Sequence, residues 1–476
     1  MKVKESKTKM VPTLPTLLRM TTQLALLSPL ALVVGFTPST TYNEQRLQSL
    51  DYADPEFIEF PCLPPLSKSP KLAGPWTQRY PFAEKLASTY NAMPEEACSS
   101  FPCKDVEGSI PADLEGSYLK IGPGNLERAG QRYKHFLDGD GFVTKIDFAR
   151  GQATYAGNFV ETEYFQAESK QDKILYRNIF GTQREGGAFK NAFDVEFKNP
   201  ANTNILKWGG KLFAFWEGGR PYELDPDTLE TLEHTVNDGP FQALGDPFLL
   251  VRRTLIDEGG PLDRSCKLGR WFTGHPLVTD NGKTLVGCRG ARNVITNELK
   301  LEFPEFDQDW TEITSTSMAV PNGMPSHDFM VGGDFIGFFQ NGLELDSVSC
   351  LLGMTDFVAL NLNKPCVLHL VPRGEMSESS TKKTIQAALP QGYFNVHCVG
   401  LEQDGDKLTV YSNGWDLEDH RYFPAEKQSF PFLGRWGGHH PSYDCSGGCG
   451  VPPSLLYKTV IDLTTEEVWL FMECWQ

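Results

Sequence analysis

Short β-rich runs, each soon closed off by glycine or proline, recur along most of this 476-residue chain. The 44 glycines and 33 prolines are spread along its length rather than gathered into linkers. Glycine reaches backbone conformations that other residues resist, and proline pre-sets a turn. Such spacing suits many short strands joined by tight turns. Residues 117–121 read as a strand stopped by Gly122-Pro123-Gly124. Residues 141–148 and 152–163 form a predicted hairpin around Arg150-Gly151. Residues 211–216 make another strand, with a partner expected beyond 222–230. Further antiparallel pairs are predicted for 271–275 with 283–288, 327–331 with 335–340, 355–362 with 367–371, 394–399 with 407–411, and 456–463 with 468–472. With so little helix between them, these pairs argue for an all-β sandwich, barrel or propeller. The length without a clear linker favours a propeller. No internal repeat is strong enough to count blades. Two insertions, 236–268 and 372–391, are expected on propeller faces, the second polar and partly helical.

A chain that is 40% hydrophobic, with 31 phenylalanines, can build a large core, which excludes disorder for most of its length. The net charge of −17 excludes nucleic acid as the expected partner, because phosphate binding needs a basic groove. It leaves open a peripheral membrane contact through an apolar patch. No protein partner is implied. Of 11 cysteines, Cys445 and Cys449 are spaced for a loop disulfide. Cys288, Cys366 and Cys398 lie in apolar runs and read as buried thiols. No cysteine pairs recur at zinc-finger spacing.

Three segments are expected: a targeting signal over 1–40, an extension over 41–105 and the propeller over 106–476. Lys2, Lys4, Lys7 and Lys9 precede an apolar run at 24–34 that Ser28 and Pro29 interrupt. The run is short for a membrane span and follows the plan of a cleavable signal. Val34-Gly35-Phe36-Thr37-Pro38 resembles the signal junction of algae whose plastids are reached through the endoplasmic reticulum. A plastid destination is expected; a secretory signal or a monotopic anchor is the alternative. Residues 84–90 read as a short helix.

Asp138-Gly139-Asp140-Gly141 lacks the further oxygen ligands of a calcium loop and reads as a turn. Gly122-Pro123-Gly124-Asn125 has no phosphate-loop spacing. Three histidines, His275, His327 and His397, stand in similar short apolar strand settings, 52 and 70 residues apart. Each alone reads ordinarily as a packed, hydrogen-bonded residue. Together they suit a site to which successive sheets each lend one imidazole, a donor able to hold iron without thiolate.

The run Glu107-Gly108-Ser109-Ile110-Pro111-Ala112-Asp113-Leu114-Glu115-Gly116-Ser117-Tyr118, with Ile121-Gly122-Pro123-Gly124-Asn125 and His135-Phe136-Leu137-Asp138-Gly139-Asp140-Gly141, closely resembles the opening of the carotenoid cleavage oxygenases. These are also called the retinal pigment epithelial membrane proteins. Phe215-Trp216-Glu217-Gly218-Gly219-Arg220-Pro221-Tyr222 looks like the next family block. Gly274-His275-Pro276, Ser326-His327-Asp328-Phe329 and 393–397 are similar to the three iron-histidine motifs that follow. The order is preserved from about residue 106 to 472.

The resemblance implies a seven-bladed propeller with iron(II) (Fe2+) on its axis, held by four histidines. His275, His327 and His397 would be three of them, and Glu217 a carboxylate that hydrogen-bonds one of them. It implies a dioxygenase that uses dioxygen to cleave a conjugated double bond of a carotenoid or apocarotenoid. The substrate would be drawn from a membrane surface into an apolar tunnel. After His397 the family's usual stretch is replaced by Cys398-Val399-Gly400-Leu401-Glu402. Family members also run on beyond Cys474-Trp475-Gln476 to a Glu-Phe-Pro segment and the fourth histidine. The final blade or blades are therefore expected to be missing, and this chain is expected to cleave poorly. His439 and His440 read as loop residues. An inactive remnant that binds polyenes or partner proteins, and an isomerase, are the alternative functions.

Overall fold

In the computed structural model, which describes residues 92–194, 196–232, 271–292, 298–321, 326–355, 357–361, 364–374, 384–389, 393–416, 455–465 and 467–473, turn chemistry decides the local pairing. Arg150 and Gly151 both take positive φ, 52° and 73°, the geometry of a tight two-residue hairpin turn. They join Asp140–Ala149 to Gln152–Phe159 in antiparallel register. Gly209 and Gly210, at 55° and 76°, do the same for Asn204–Trp208 and Lys211–Phe215.

The first sheet has the order Ser100–Pro102, Gln152–Phe159, Asp140–Ala149, Gly116–Asn125. Its outermost member, Ser100–Pro102, lies in the segment read as an extension. The strand Gly116–Asn125 does not stop at Gly122-Pro123-Gly124. Its pairing continues through Pro123 opposite Gly141 and slips only between Pro123 and Asn125. An edge strand tolerates proline because the missing N–H faces no neighbour. Gly124 fits because a Cβ there would meet Phe142 at 2.3 Å. Phe159 ends the second strand of the hairpin, short of the predicted 163. Thr162 then caps an α-helix, Glu163–Gln171, by accepting from the Phe165 N–H at 3.0 Å.

In the second sheet Lys211–Phe215 pairs with Asn204–Trp208 on one side and Tyr222–Leu224 on the other. Its partners thus precede and include the segment read as a turn, not residues beyond it. The third sheet is built on Glu298–Phe306, flanked by Glu312–Pro321 and by two interrupted rows. One row is Thr284–Val286 then Arg289–Arg292; the outer one is Trp271–Phe272 then Leu277–Thr279.

The fourth sheet runs Phe329–Gly332, Phe335–Gln340, Val367–Pro372, Ile385–Ala388. Residues 358–360 therefore do not pair with 367–371 as expected; they pair with Leu343–Leu345. Burial outweighs proximity along the chain here, since Leu368 and Leu370 are fully buried between Phe335–Gln340 and the next sheet. The predicted polar insertion supplies Ile385–Ala388. Only Ala387 of that strand is buried, so its hydrophobic signal is weak. The fifth sheet runs Tyr393–Asp404, Lys407–Asp416, Leu455–Asp462, Glu467–Glu473.

The cores lie between consecutive sheets. Val143, Leu212 and Leu224 join the first to the second; Phe213, Phe215 and Phe272 join the second to the third. Phe303, Phe329 and Phe338 join the third to the fourth; Phe339, Leu368 and Leu408 join the fourth to the fifth. Burying each phenylalanine contributes about 1.5–3 kcal/mol. The result is a mostly β fold of antiparallel sheets packed in chain order, resembling propeller blades.

The tetrad at 138–141 is not a simple turn: Asp138 ends the 3-10 helix Phe136–Asp138 and Asp140 opens the strand Asp140–Ala149, and both carboxylates are consumed by the protein. Asp138 is buried and accepts from the amides of Phe180 and Thr182, each at 3.0 Å. Asp140 meets Arg128 at 2.9 Å and Lys198 at 2.5 Å. Both cations also reach Glu168 of the helix, at 3.2 and 2.7 Å. Gly141 is required because a Cβ would lie 2.2 Å from the Ala201 carbonyl oxygen. Cys288 and Cys366 are buried free thiols; Cys398 is free and half-buried. The segments 1–40, 84–90 and 236–268, the Cys445/Cys449 pair, His439 and His440 lie outside the described residues.

Candidate metal centre

Each of the three histidines sits where its sheet's opening strand departs from regular pairing. His275 occupies the gap between Trp271–Phe272 and Leu277–Thr279. Pro276 cannot donate to a ladder there, and the His275 N–H turns to the Thr273 hydroxyl at 2.9 Å. Gly274 is needed for the close approach: a Cβ would meet Thr203 at 2.8 Å and the Glu217 amide nitrogen at 3.4 Å. His327 comes just before Phe329–Gly332. His397 lies within Tyr393–Asp404, between register slips at Asn395/His397 and Cys398/Gly400. A bulge re-aims a side chain that the ladder would otherwise point across the sheet.

The three rings converge. Their centroids are 4.6, 4.9 and 5.1 Å apart, and their planes cross at 64–87°. One ring nitrogen from each lies within 4.8 Å of the others. His275 Nε2 and His327 Nε2 are 3.1 Å apart. This is the one such cluster of three or more ligating side chains among the described residues.

Two of the rings rest on carboxylates. Glu217 follows Lys211–Phe215, and its Oε2 lies 2.6 Å from His327 Nδ1. That oxygen is buried, yet the side chain as a whole is 32% exposed. The contact is a short approach of the carboxylate to Nδ1, and it is a charged pair only when the ring is protonated. Asp328, 6% exposed, places Oδ2 at 3.1 Å from His397 Nδ1. The sequence points to Glu217 by its family block. It also contains Asp328, inside the motif around His327, but carries no signal that this side chain reaches a histidine 69 residues on.

Burial, followed by the neighbouring His327, pushes His275 down to about 4, so its ring stays neutral at physiological pH. Burial also opposes charge on His327, but Glu217 outweighs it and raises that ring's pKa. Burial favours the neutral acid at Glu217, and His327 more than offsets it, holding the carboxyl below the usual range.

The donor set suits a metal. With Nδ1 of His327 and of His397 turned to carboxylates, Nε2 is the nitrogen each ring has left to offer. Two nitrogens about 2.1 Å from one ion and at right angles to each other would stand about 3 Å apart, close to the 3.1 Å separation of His275 and His327. An all-imidazole set suits iron, zinc, copper or nickel better than magnesium or calcium.

A second feature stands apart from these rings. The short helices Gly187–Asn191 and Ser347–Leu351 pack together, with the Phe193 N–H donating to the Leu351 carbonyl at 2.7 Å. Gly353 packs so closely on Ala188 and Asn191 that a Cβ would not fit. Buried Arg177 ties the pair by donating to the carbonyls of Asp194, Cys350 and Met354 at 2.5–2.9 Å. Phe189 (95% exposed), Phe193 (74%), Val348 (67%) and Leu352 (51%), in or just after these helices, are exposed. Among the described residues no helix is long and apolar enough to cross a membrane.

The sequence profile of the retinal pigment epithelial membrane protein family matches residues 91–466. The apocarotenoid-15,15'-oxygenase of Synechocystis is 33% identical over 71% of this chain and 63% of its own length. The rice protein named carotenoid cleavage dioxygenase 7, chloroplastic, is 28% identical over 75% of this chain and likewise 63% of its own. The chain thus spans less than two thirds of either relative. Among solved structures, a mutant of the Synechocystis apocarotenoid oxygenase superposes with a TM-score of 0.64 at 26% identity, covering 82% of this chain and 72% of that one. The cobalt-substituted Synechocystis protein gives 0.61 at 25% identity, with the same coverage.

Proposed function

Because the chain belongs to the carotenoid cleavage oxygenase family, the family of the retinal pigment epithelial membrane proteins, we propose that it is a non-haem iron(II) dioxygenase. Its reaction would cleave one conjugated carbon–carbon double bond of a carotenoid or apocarotenoid to two carbonyl products. The observation that carries this reading is the convergence of three imidazoles, two of them backed by carboxylates. His275, His327 and His397 would hold the ion, and Glu217 would keep His327 oriented. The bound iron supplies the redox chemistry with dioxygen. The protein's own part is to keep His275 neutral, to hold the Nδ1–H of His327 against the Glu217 carboxylate, and to hold the three rings on separate, firmly packed sheets. The balance needs no external reductant: both oxygen atoms end in the two products.

The test is to purify the chain anaerobically with iron(II), supply a carotenoid in detergent micelles, and run the reaction under 18O-labelled dioxygen. Label in both carbonyl products supports the reading. Stoichiometric iron with no product, or label in one product only, overturns it.

Three further parts belong to the same proposal. The sheets are successive blades of a seven-bladed plan, supported by histidines at equivalent places on three consecutive sheets. The apolar face of the Gly187–Asn191 and Ser347–Leu351 helices meets the membrane from which the polyene comes; co-flotation with vesicles should fall in F189S/F193S. Residues 1–40 direct the chain to a plastid, in keeping with the chloroplastic names of the rice and Arabidopsis relatives; a fluorescent fusion of this segment that stays cytosolic would refute it.

A further inference from the structure

Sequence motifs account for the three rings and for Glu217, but not for what holds His397 in place. Its strand bulges twice: Val396 and Val399 have no ladder partner, because the register slips on both sides of the 397–398 pair. A strand that bulges twice within a few residues does not by itself fix a ring to the tolerance a ligand needs.

Asp328 supplies the missing constraint. It is 6% exposed, and both of its oxygens are used. Oδ1 accepts from the Phe329 amide at 2.8 Å, which sets the rotation of the carboxylate. Oδ2 accepts from the Cys398 amide at 3.0 Å and faces His397 Nδ1 at 3.1 Å. One oxygen therefore holds both the backbone and the ring of the bulged segment. The backbone of Asp328 is anchored in turn, because the Ser326 hydroxyl donates to its carbonyl at 2.6 Å. The residue also directly follows His327. A single stretch thus carries one ring and the group that orients another.

We propose that Asp328 is the positioning residue of His397: it fixes the ring with its proton on Nδ1, presents Nε2 to the other two histidines, and thereby couples the Phe329–Gly332 strand to the bulge of Tyr393–Asp404. The inference rests on the metal-site reading above. Its physical logic is that of any ligating imidazole, whose second nitrogen needs an acceptor to set tautomer and orientation. His275 provides the internal contrast. Among the described residues its ring hydrogen-bonds no carboxylate, and the threonine at 273 holds only its backbone.

The test uses the whole chain and two readouts. The first needs neither metal nor substrate: 15N-histidine NMR of the metal-free protein, with His397 assigned by its loss in H397N. Wild type should show His397 as the Nδ1–H tautomer, and D328A should show a mixture with Nε2–H. The second readout is cobalt(II) affinity and visible spectrum. D328A should lose about ten- to a hundred-fold in affinity. D328N keeps an acceptor oxygen and should lose less, with D328E recovering part. If D328A does not fold, D328L, which also lacks an acceptor, carries both measurements. An unchanged tautomer, or a cobalt affinity in both variants equal to wild type, overturns the proposal. Wild-type protein that binds no cobalt would instead refute the metal-site reading, while the tautomer measurement would still decide the role of Asp328.

Discussion

Replacing Glu217 by glutamine keeps the length and shape of the side chain and removes one negative charge from beside His327. The carboxylate oxygen stands 2.6 Å from Nδ1 and is itself shielded from water. Two unit charges at that distance would interact by about 6 kcal/mol at an effective dielectric constant near 20. The figure needs discounting on two grounds: the pair is about a third exposed, and an imidazole bound to a metal carries only part of a charge. Outer partners of metal-bound histidines are worth about ten- to a hundred-fold in affinity, or about 1.4–2.7 kcal/mol. The exposure of the pair places E217Q near the lower end, about ten-fold. E217A should lose more, because it leaves Nδ1 without an acceptor. Anaerobic equilibrium dialysis with iron(II), or titration with cobalt(II), measures the difference directly. Affinities of E217Q and E217A within two-fold of wild type would show that Glu217 does not act through His327. Equal losses in the two would show that charge matters and hydrogen bonding does not.

Asp140 to Asn should destabilise the fold by about 3–5 kcal/mol in urea unfolding, since Arg128 and Lys198 would then share one buried anion, Glu168. Arg177 to Met removes three bonds from a charged donor to backbone carbonyls, at a net cost of about 2–4 kcal/mol; hydrogen exchange should quicken at the Phe193 amide, which bonds Leu351. Burial raises the Asp138 carboxyl to about 7, against two backbone N–H bonds that pull it down. The folded state therefore holds a proton that the unfolded state releases near pH 4, so this group's contribution to stability is present below about pH 4 and is lost as pH rises to about 7. In D138N, that component of the pH–stability profile should vanish; an unchanged slope between pH 4 and 7 would refute the assignment.

Strands closed by strong local signals were legible: Arg150-Gly151 turns where positive φ at both residues demands, and 329–332 pairs with 335–340, 393–404 with 407–416 and 455–462 with 467–473. Pairings were misread where sequence neighbours are not spatial ones. Residues 358–360 go to 343–345 instead of 367–371, and the thinly apolar 385–388 completes a sheet. Neither choice is local, because each depends on which apolar face an adjacent sheet leaves to be covered.

At the site, the identity of His275, His327 and His397 as a set, and of Glu217 beside them, came from motifs in the chain. Their mutual distances could not, since separations of 52 and 70 residues along the chain constrain nothing until the sheets pack. Only the tertiary structure brings three ring nitrogens within 4.8 Å. It alone turns Asp328 away from its own neighbour, His327, and onto His397. The physical reason is that side-chain chemistry belongs to single residues and survives in the one-dimensional order. A ligand's orientation is set by hydrogen bonds between segments that only the packing of whole sheets makes adjacent.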